Sequence, residues 1–248
     1  MKLAFISDIH GNLQALEATL EDIKLQGSDA LTVLGDVATL GPNPKEVIEI
    51  LSDCDASFVM GNHDDMLINL YENRDHEKSS SAYEWAADKL SKHHVEFLKK
   101  FKASVSWDLN LSINLISYHA SPWGNSTSIM EHIRTKAGQD LFDALDHNIF
   151  VGGHEHQQFR DVYGSKQIIN AGSAGFPYKI RPFIGFPKAE AWSEYVMIEF
   201  KRGRINVDFR KVEYDKLAFY KAATDTDNPI KEWLLSVVSS DLEKQQIR

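Results

Sequence analysis

The strongest constraint on the fold is an alternation of short apolar runs with helical segments in the N-terminal part of the chain. Apolar runs at 3–6, 30–34 and 56–60 are typical of buried strands. Between them, the spacing of leucine and isoleucine residues predicts one helix after Asn12 and another after Asn43. Strands that alternate with helices in this way indicate a parallel sheet with right-handed crossovers, and therefore an α/β fold.

Polar residues follow each of these three runs directly. Asp8 and His10 come after the first run, Asp36 after the second, and Asn62 and His63 after the third. In a parallel sheet the carboxyl ends of the strands meet at one edge, where the ligand sites of α/β folds lie. The sequence therefore predicts a cluster of carboxylate, imidazole and amide groups at this edge.

Two later segments end in a similar way. A predicted strand at 112–118 is followed by His119, and a predicted strand at 148–152 is followed by His154 and His156. A His-x-His sequence at a strand end directs both imidazoles towards one cluster when the backbone bends there. We expect these three histidines to join the polar residues at the edge of the predicted parallel sheet.

This set of side chains favours a metal site. Mixed oxygen and nitrogen ligands suit Mn, Fe, Zn, Ni or Co, whereas Mg and Ca prefer oxygen. Seven candidate ligands are too many for one tetrahedral ion, and they fit two ions about 3.5–4 Å apart with one bridging carboxylate. The ligands are Asp8, His10, Asp36, Asn62, His119, His154 and His156.

The rest of the chain is interpreted as part of one domain, 1–248. A helical insertion is predicted at about 64–103, a helix with a break at Gly138 over 126–147, and a long irregular loop at 176–191. The C-terminal segment from residue 213 is predicted to be helical. The remaining predicted strands are 104–109, a hairpin over 158–170 turned by Gly164-Ser165, and the pair 194–200 and 204–212.

Composition narrows the choice of partners. The chain has 36 acidic and 27 basic residues and a net charge of −9, which argues against a dedicated nucleic-acid binder. A small anionic substrate is compatible with this charge, because bound metal ions reverse the local field.

The single cysteine, Cys54, allows no internal disulfide, and no apolar stretch reaches the roughly 20 residues of a membrane span. The N-terminus has no signal-peptide pattern, so we expect a cytoplasmic protein without membrane contact.

The five polar blocks together resemble the signature of the calcineurin-like metallophosphoesterase superfamily in order and spacing, over about residues 2–177. Gly41-Pro42-Asn43-Pro44 and the segment 170–175 are similar to the short bacterial and archaeal phosphodiesterase-like branch. The resemblance implies a four-layer α-β-β-α sandwich, in which two mixed sheets are packed together and flanked by helices.

The resemblance also implies how the ligands are shared and what they do. One metal ion would be held by Asp8, His10, Asp36 and His156. The other would be held by Asn62, His119, His154 and the bridging Asp36. His63 would be a catalytic residue outside the ligand set, where it would stabilise a phosphoryl oxygen or protonate the leaving oxygen. Metal-bound hydroxide would attack phosphorus in a phosphodiester or phosphomonoester.

Three residues depart from familiar relatives. Thr39 stands where protein phosphatases of this superfamily carry an aspartate that supports the catalytic histidine, and Asp64 stands where they carry glutamate. These differences argue against phosphoprotein as the substrate. Glu155, between His154 and His156, is larger and more acidic than the resemblance implies, and we expect it to face solvent.

Contacts to a small phosphorylated substrate are predicted at two places. Asn12 and Arg181 are candidate substrate-binding residues, although Asn12 also fits a helix cap and Arg181 a solvated loop charge. Trp123 is close enough in sequence to His119 to line the pocket. The loop aromatics are expected to pack within the loop, with base stacking or an oligomer interface as alternatives. They are Phe176, Tyr178, Phe183 and Phe186.

The sequence alone leaves two other functions open. A binding scaffold of the same fold would lack catalysis, but such scaffolds usually lose ligands that this chain keeps. A nuclease would need a basic surface, which the acidic composition does not provide.

Overall fold

The computed structural model describes residues 1–73, 81–110, 113–131, 133, 135–178 and 187–246. The strands are β1 (Lys2–Ile6), β2 (Ala30–Val33), β3 (Ala56–Phe58), β4 (Val105–Asn110), β5 (Ile113–Ser117), β6 (Ile149–Gly152), β7 (Gln158–Tyr163), β8 (Lys166–Ala171), β9 (Ser193–Lys201) and β10 (Arg204–Val212). The helices are α1 (Leu13–Gln26), α2 (Pro44–Ser52), α3 (Asn62–Glu72), α4 (Ala82–Lys89), α5 (Lys92–Leu98), α6 (Lys136–Asp143), α7 (Lys216–Asp225) and α8 (Lys231–Gln246). A short 3₁₀ turn covers Ile129–Glu131.

The first sheet contains the three predicted N-terminal strands. Its order is β10-β9-β1-β2-β3. The strands β1, β2 and β3 pair in parallel, and β9 pairs antiparallel with both β1 and β10. The carboxyl ends of β1, β2 and β3 therefore open on one edge, as the sequence predicts.

The second sheet has the order β4-β5-β6-β8-β7. Here β5, β6 and β8 are parallel, and β4 and β7 are antiparallel edge strands. The predicted hairpin is confirmed, with β7 and β8 paired around the turn at Gly164.

The two sheets pack face to face. Phe5 and Val196 of the first sheet share a buried cluster with Leu115 and Ile169 of the second. A separate cluster joins the outer face of the first sheet to α1 and α2, and another joins the outer face of the second sheet to α6 through Phe142. Both sheets are mixed, and the predicted four-layer α-β-β-α sandwich is confirmed.

The helical segments differ in detail from the sequence predictions. In the described residues of the insertion at 64–103 there are three helices, because Ser81 and Ser91 each accept a hydrogen bond from the backbone three residues later and start a new helix. The helix predicted over 126–147 is wrong. Among the described residues of this stretch, α6 is the only regular α-helix, and Gly138, the expected break, lies inside it with its N–H donating to Oγ1 of Thr135.

The prediction for the loop 176–191 falls partly outside the described residues. Phe176 is 1% exposed and Tyr178 is 7% exposed, so these two aromatics pack inside the protein and are not available for an oligomer interface. Phe183 and Phe186 lie outside the described residues, and oligomerisation and the single-domain interpretation stay predictions. Among the helices of the described ranges, none has both the length and the apolar composition of a membrane span.

Candidate metal centre

Turns after the first-sheet strands bring the N-terminal polar residues together. The backbone N–H of Asp8 donates to Gly35 at 3.0 Å, and that of His10 donates to Asp36 at 2.9 Å. The turn after β1 is thus hydrogen-bonded to the turn after β2. Asn62 is the first residue of α3, shortly after the end of β3 at Phe58, and lies at the same edge.

The second sheet contributes three histidines to this edge. His119 follows β5, and His154 and His156 follow β6, which is parallel to β5. The N–H of His154 donates to Oδ2 of Asp8 at 2.8 Å, which connects the two sheets at the site. The cluster therefore lies where the carboxyl ends of both parallel strand sets meet.

One group of side chains consists of Asp8, His10 and His156. The Nε2 atoms of His10 and His156 are 3.1 Å apart, and Nε2 of His156 is 3.3 Å from Oδ1 of Asp8. Their ligand atoms lie close enough to surround a single ion. All three side chains are buried.

A second group consists of Asp36, His119 and His154, with Asn62 beside them. Nε2 of His119 is 3.3 Å from Oδ2 of Asp36 and 3.0 Å from Oδ1 of Asn62. Nδ1 of His154 is also 3.0 Å from Oδ1 of Asn62. The amide oxygen of Asn62 therefore lies between two imidazole nitrogens.

Asp36 lies between the two groups. Its Oδ2 is 3.8 Å from Nε2 of His10, a member of the first group, and 3.3 Å from Nε2 of His119, a member of the second. Its Oδ1 accepts a hydrogen bond from the backbone N–H of His63 at 2.8 Å. The carboxylate is thus held in a position common to both groups.

His63 lies beside the cluster at its open side. Its Nε2 is 3.9 Å from Oδ2 of Asp36, and its side chain is 18% exposed, compared with 1% for His10. The Tyr83 ring packs edge-on against the His63 ring at 5.2 Å between centroids. Tyr83, which lies in α4, is therefore a neighbour of the site that no sequence motif indicates.

Backbone carbonyl groups orient two of the imidazoles. Nδ1 of His119 is 2.7 Å from the carbonyl oxygen of Leu34, and Nδ1 of His156 is 2.7 Å from that of Phe176. A carbonyl oxygen only accepts, so each Nδ1 carries a proton and donates it. In the neutral rings the Nε2 lone pair then faces the cluster, which is the arrangement seen in metal-binding histidines.

Opposite charges within the cluster shift the pKa values of its members. Burial lowers the pKa of His119, but the Asp36 carboxylate outweighs this effect and raises the pKa to about 10. Burial likewise lowers the pKa of His156, and the Asp8 carboxylate raises it above its usual value. The same pairing holds the pKa of Asp8 below its usual range in spite of burial. A metal ion bound by these two histidines would therefore displace their protons.

Asp64 binds the backbone of two turns that carry residues of the cluster. Its carboxylate accepts from the backbone N–H groups of Asp36 at 2.8 Å, Val37 at 3.0 Å and Gly61 at 3.0 Å. Burial and then the charge of Asp36 raise the pKa of Asp64 to about 7, against the lowering by these three donors. Asp64 thus joins the turn after β2 to the start of α3.

Many of the cluster residues have a left-handed backbone. A positive φ is uncommon in residues other than glycine, and at functional sites it costs about 1–3 kcal/mol each. The residues, with φ between 49° and 69°, are Asp8, His10, Asp36, His154 and His156. This conformation bends the chain at each strand end and turns the side chains into the cluster.

These residues fit divalent metal ions. Asp8 Oδ1 is buried and has no hydrogen-bond donor in good geometry among the described residues, although Nε2 of His156 lies 3.3 Å away. A buried carboxylate oxygen needs a charged partner, and a metal ion would supply one in place of the protonated His156. Facing lone pairs of imidazole, carboxylate and amide groups form a donor set suited to divalent transition metals.

Of the two predicted substrate-binding residues, Asn12 and Arg181, the structure describes only Asn12. Asn12 is 0% exposed, and its side chain accepts from Ala15 and donates to Gly175, so it caps α1 and has no surface for a substrate in this structure. Arg181 lies outside the described residues, and its role stays a prediction.

The expectation that Glu155 faces solvent is wrong. The residue is 8% exposed, and its carboxylate accepts a hydrogen bond from the hydroxyl of Ser128. Glu155 therefore anchors the segment before the 3₁₀ turn to the strand end that carries His154 and His156.

A cavity of about 420 Å³ adjoins the cluster at His119. The apolar side chains of Met60, Phe101 and Trp123 line it together with the polar Asn125. Trp123 is 38% exposed and packs edge-on against Phe142. The prediction that Trp123 lines a pocket beside His119 is confirmed.

Comparison with known proteins places the chain in a family. Residues 1–186 match the calcineurin-like phosphoesterase superfamily domain. The chain belongs to this superfamily. An uncharacterized protein of Methanocaldococcus jannaschii is 31% identical to the phosphoesterase over 250 residues, which cover 94% of this chain and 95% of that protein.

Two further comparisons agree with this assignment. The crystal structure of a metallophosphoesterase from Sphaerobacter thermophilus has a TM-score of 0.72 at 23% identity, covers 96% of this chain and 99% of its own, and shows the shared fold. The symmetrical bis(5'-nucleosyl)-tetraphosphatase of Buchnera aphidicola is 35% identical over 101 residues, which cover 40% of this chain and 35% of that protein. The predicted resemblance is confirmed, and the phosphoesterase is a metal-dependent hydrolase.

Proposed function

We propose that the phosphoesterase binds two divalent transition-metal ions and hydrolyses a phosphodiester or phosphomonoester bond of a small phosphorylated molecule. The observation that carries this proposal is the pair of ligand groups that share Asp36. Asp8, His10 and His156 would hold one ion with Asp36. Asn62, His119 and His154 would hold the other with the same carboxylate.

The two ions, when bound, supply Lewis acidity towards the phosphoryl oxygens and lower the pKa of a water molecule towards about 7. The protein's own contribution is to fix the ligands. Its buried carbonyl contacts and the Asp64 hydrogen bonds leave the ligand atoms little freedom to rotate.

His63 is proposed to act on the substrate directly. It is more exposed than the ligand His10 and lies next to the shared carboxylate. From this position its ring can donate a hydrogen bond to a phosphoryl oxygen as negative charge develops. The hydrogen bond from the backbone N–H of His63 to Oδ1 of Asp36 keeps the His63 ring at the open side of the cluster.

The cavity at His119 is proposed to receive the part of the substrate that is not phosphate. Its mixture of aromatic, aliphatic and amide side chains suits a flat, partly polar group. The nucleotide named for the Buchnera relative contains such a group. We therefore propose that nucleoside phosphates be included among the test substrates.

The ion count is tested by elemental analysis and native mass spectrometry. We expect two ions per chain in the wild type, and loss of at least one in Asp36→Asn because that carboxylate serves both groups. Asp146→Asn, at an exposed aspartate outside the cluster, is the control and should keep both. A wild-type chain that binds a single ion refutes the two-ion proposal.

Turnover is tested with Mn²⁺, Ni²⁺ and Mg²⁺ on para-nitrophenyl phosphate, its bis-ester and a dinucleoside polyphosphate. We expect activity with the transition metals that Asp36→Asn abolishes. Wild-type protein that holds two ions and hydrolyses none of these substrates would favour a binding scaffold. Cleavage of single-stranded DNA that is lost in His63→Ala would favour a nuclease.

A further inference from the structure

Thr39 lies between a proposed metal ligand and the proposed catalytic residue. Its Oγ1 is 2.6 Å from Nδ1 of His10 and 3.1 Å from Nδ1 of His63. The side chain is 0% exposed, so these contacts are shielded from water. One hydroxyl group therefore contacts the Nδ1 atoms of both rings.

The Thr39 hydroxyl can donate to one of the two rings only, so the direction of its hydrogen bond with His10 limits its hydrogen bond with His63. A threonine hydroxyl has a single proton to donate and two lone pairs that accept. When one ring donates to Oγ1, the hydroxyl proton is free for the other ring. The protonation of His10 at Nδ1 is thus coupled through Thr39 to that of His63.

Metal ligation determines which partner donates in the hydrogen bond between His10 and Thr39. Nε2 of His10 faces the carboxylates of Asp8 and Asp36, at 3.8 Å from each, and is the nitrogen available to a metal ion. A neutral histidine that binds through Nε2 carries its proton on Nδ1. His10 then donates to Thr39, and Thr39 donates to Nδ1 of His63.

We propose that Thr39 is a positioning residue that fixes neutral His63 as the tautomer with its proton on Nε2 when His10 ligates a metal ion. His63 then presents an N–H donor towards the phosphoryl group, from the nitrogen that lies 3.9 Å from Asp36. An aspartate at position 39 would do the opposite, because a carboxylate accepts the proton of Nδ1. The inference rests on the proposed metal binding by His10.

Nitrogen-15 NMR tests the tautomer directly. In zinc-loaded, ¹⁵N-labelled protein at about pH 8.5, well above the ordinary histidine pKa, couplings from the ring carbon protons show which nitrogen is protonated. The His63 signals are assigned from the spectrum of His63→Gln. We expect Nε2 protonation in the wild type, in Thr39→Ser, which keeps the hydroxyl, and in the control Thr32→Val, at a buried strand residue.

Thr39→Val removes the hydroxyl and should leave His63 with a mixture of tautomers. A wild-type His63 protonated on Nδ1, or a Thr39→Val protein with the wild-type tautomer, overturns the inference. The NMR result does not depend on turnover. Zinc-loaded protein with the expected tautomer and no hydrolytic activity would refute the proposed function and leave this inference standing.

Kinetic measurements distinguish whether Thr39 acts through His63 or through His10. At saturating zinc, Thr39→Val should lower kcat about 10–100-fold with little change in KM, in the range seen for outer-shell partners of metal ligands. Thr39→Ser should restore most of the loss. In a His63→Asn background the same Thr39→Val substitution should cost less than about threefold, because interacting residues are non-additive. Equal losses in both backgrounds would show that Thr39 acts through His10 alone and would overturn the inference.

Discussion

Replacing Asp64 by alanine should destabilise the protein even when no metal is bound. Asp64 is 0% exposed and accepts hydrogen bonds from three backbone N–H groups, at Asp36, Val37 and Gly61. Alanine accepts none of them. The substitution therefore leaves donors from two strand-end turns unpaired in the interior.

The magnitude follows from the number of donors. An unsatisfied buried donor costs about 1–3 kcal/mol, so three of them cost about 3–9 kcal/mol before relaxation. The free energy of unfolding of a domain is about 5–15 kcal/mol. We therefore expect Asp64→Ala to lower it by at least about 3 kcal/mol. The matched control is Asp65→Ala, the exposed neighbour, which should cost less than about 1 kcal/mol.

Urea unfolding of chelator-treated protein measures the difference without a contribution from bound metal. Circular dichroism follows the transition, and a common m-value shows that the same surface unfolds in each variant. A loss below about 1 kcal/mol for Asp64→Ala would mean that water or a rearranged backbone satisfies the three donors. The assignment of Asp64 as the support of the Asp36 turn would then be wrong.

Zinc affinity should rise with pH between about 6.5 and 8.5, because His119, with a pKa raised to about 10, must lose a proton to become a ligand. Calorimetry in buffers of different ionisation enthalpy counts the protons, and binding without their release would contradict this protonation state. Trp123→Ala should raise KM for an aryl phosphate about 3–10-fold, the value of a lost aromatic contact, but not for an alkyl phosphate; equal KM changes would exclude a cavity contact. Gly61→Ala places a Cβ against the Asp36 carboxylate and should weaken zinc binding at least about 10-fold. Gly124→Ala, whose Cβ meets nothing, is its control, and equal affinities would show that the Asp36 turn adapts.

The strand ends of the cluster were predictable because their signals are local. A short apolar run followed by Asp8 or Asp36 specifies both a strand and a polar group at its end. Parallel pairing then brings these ends to one edge without further information. The grouping of the ligands around Asp36 came from the resemblance rather than from spacing alone.

The errors have separate causes. The insertion at 64–103 is helical as predicted, but its division into separate helices was not predicted, although Ser81 with Glu84 forms a capping box that marks one helix start. Burial of Glu155 depends on Ser128, and the position of Thr39 depends on residues 24 and 29 positions away. Contacts of this range arise only when the strands of a sheet have paired and brought the segments after them together, so no local pattern indicates them.

The left-handed backbone at the strand ends affects which residues relatives in the family are expected to carry there once metal binding is lost. Five of the proposed ligands have a conformation that glycine or asparagine adopts at lower cost. At about 1–3 kcal/mol each, the strain is comparable to the whole free energy of unfolding of a domain. A lineage that no longer needed the metal would gain stability from glycine at these positions. Glycine in place of Asp36 or His156 in a relative is therefore expected to mark a protein that kept the sandwich and abandoned hydrolysis.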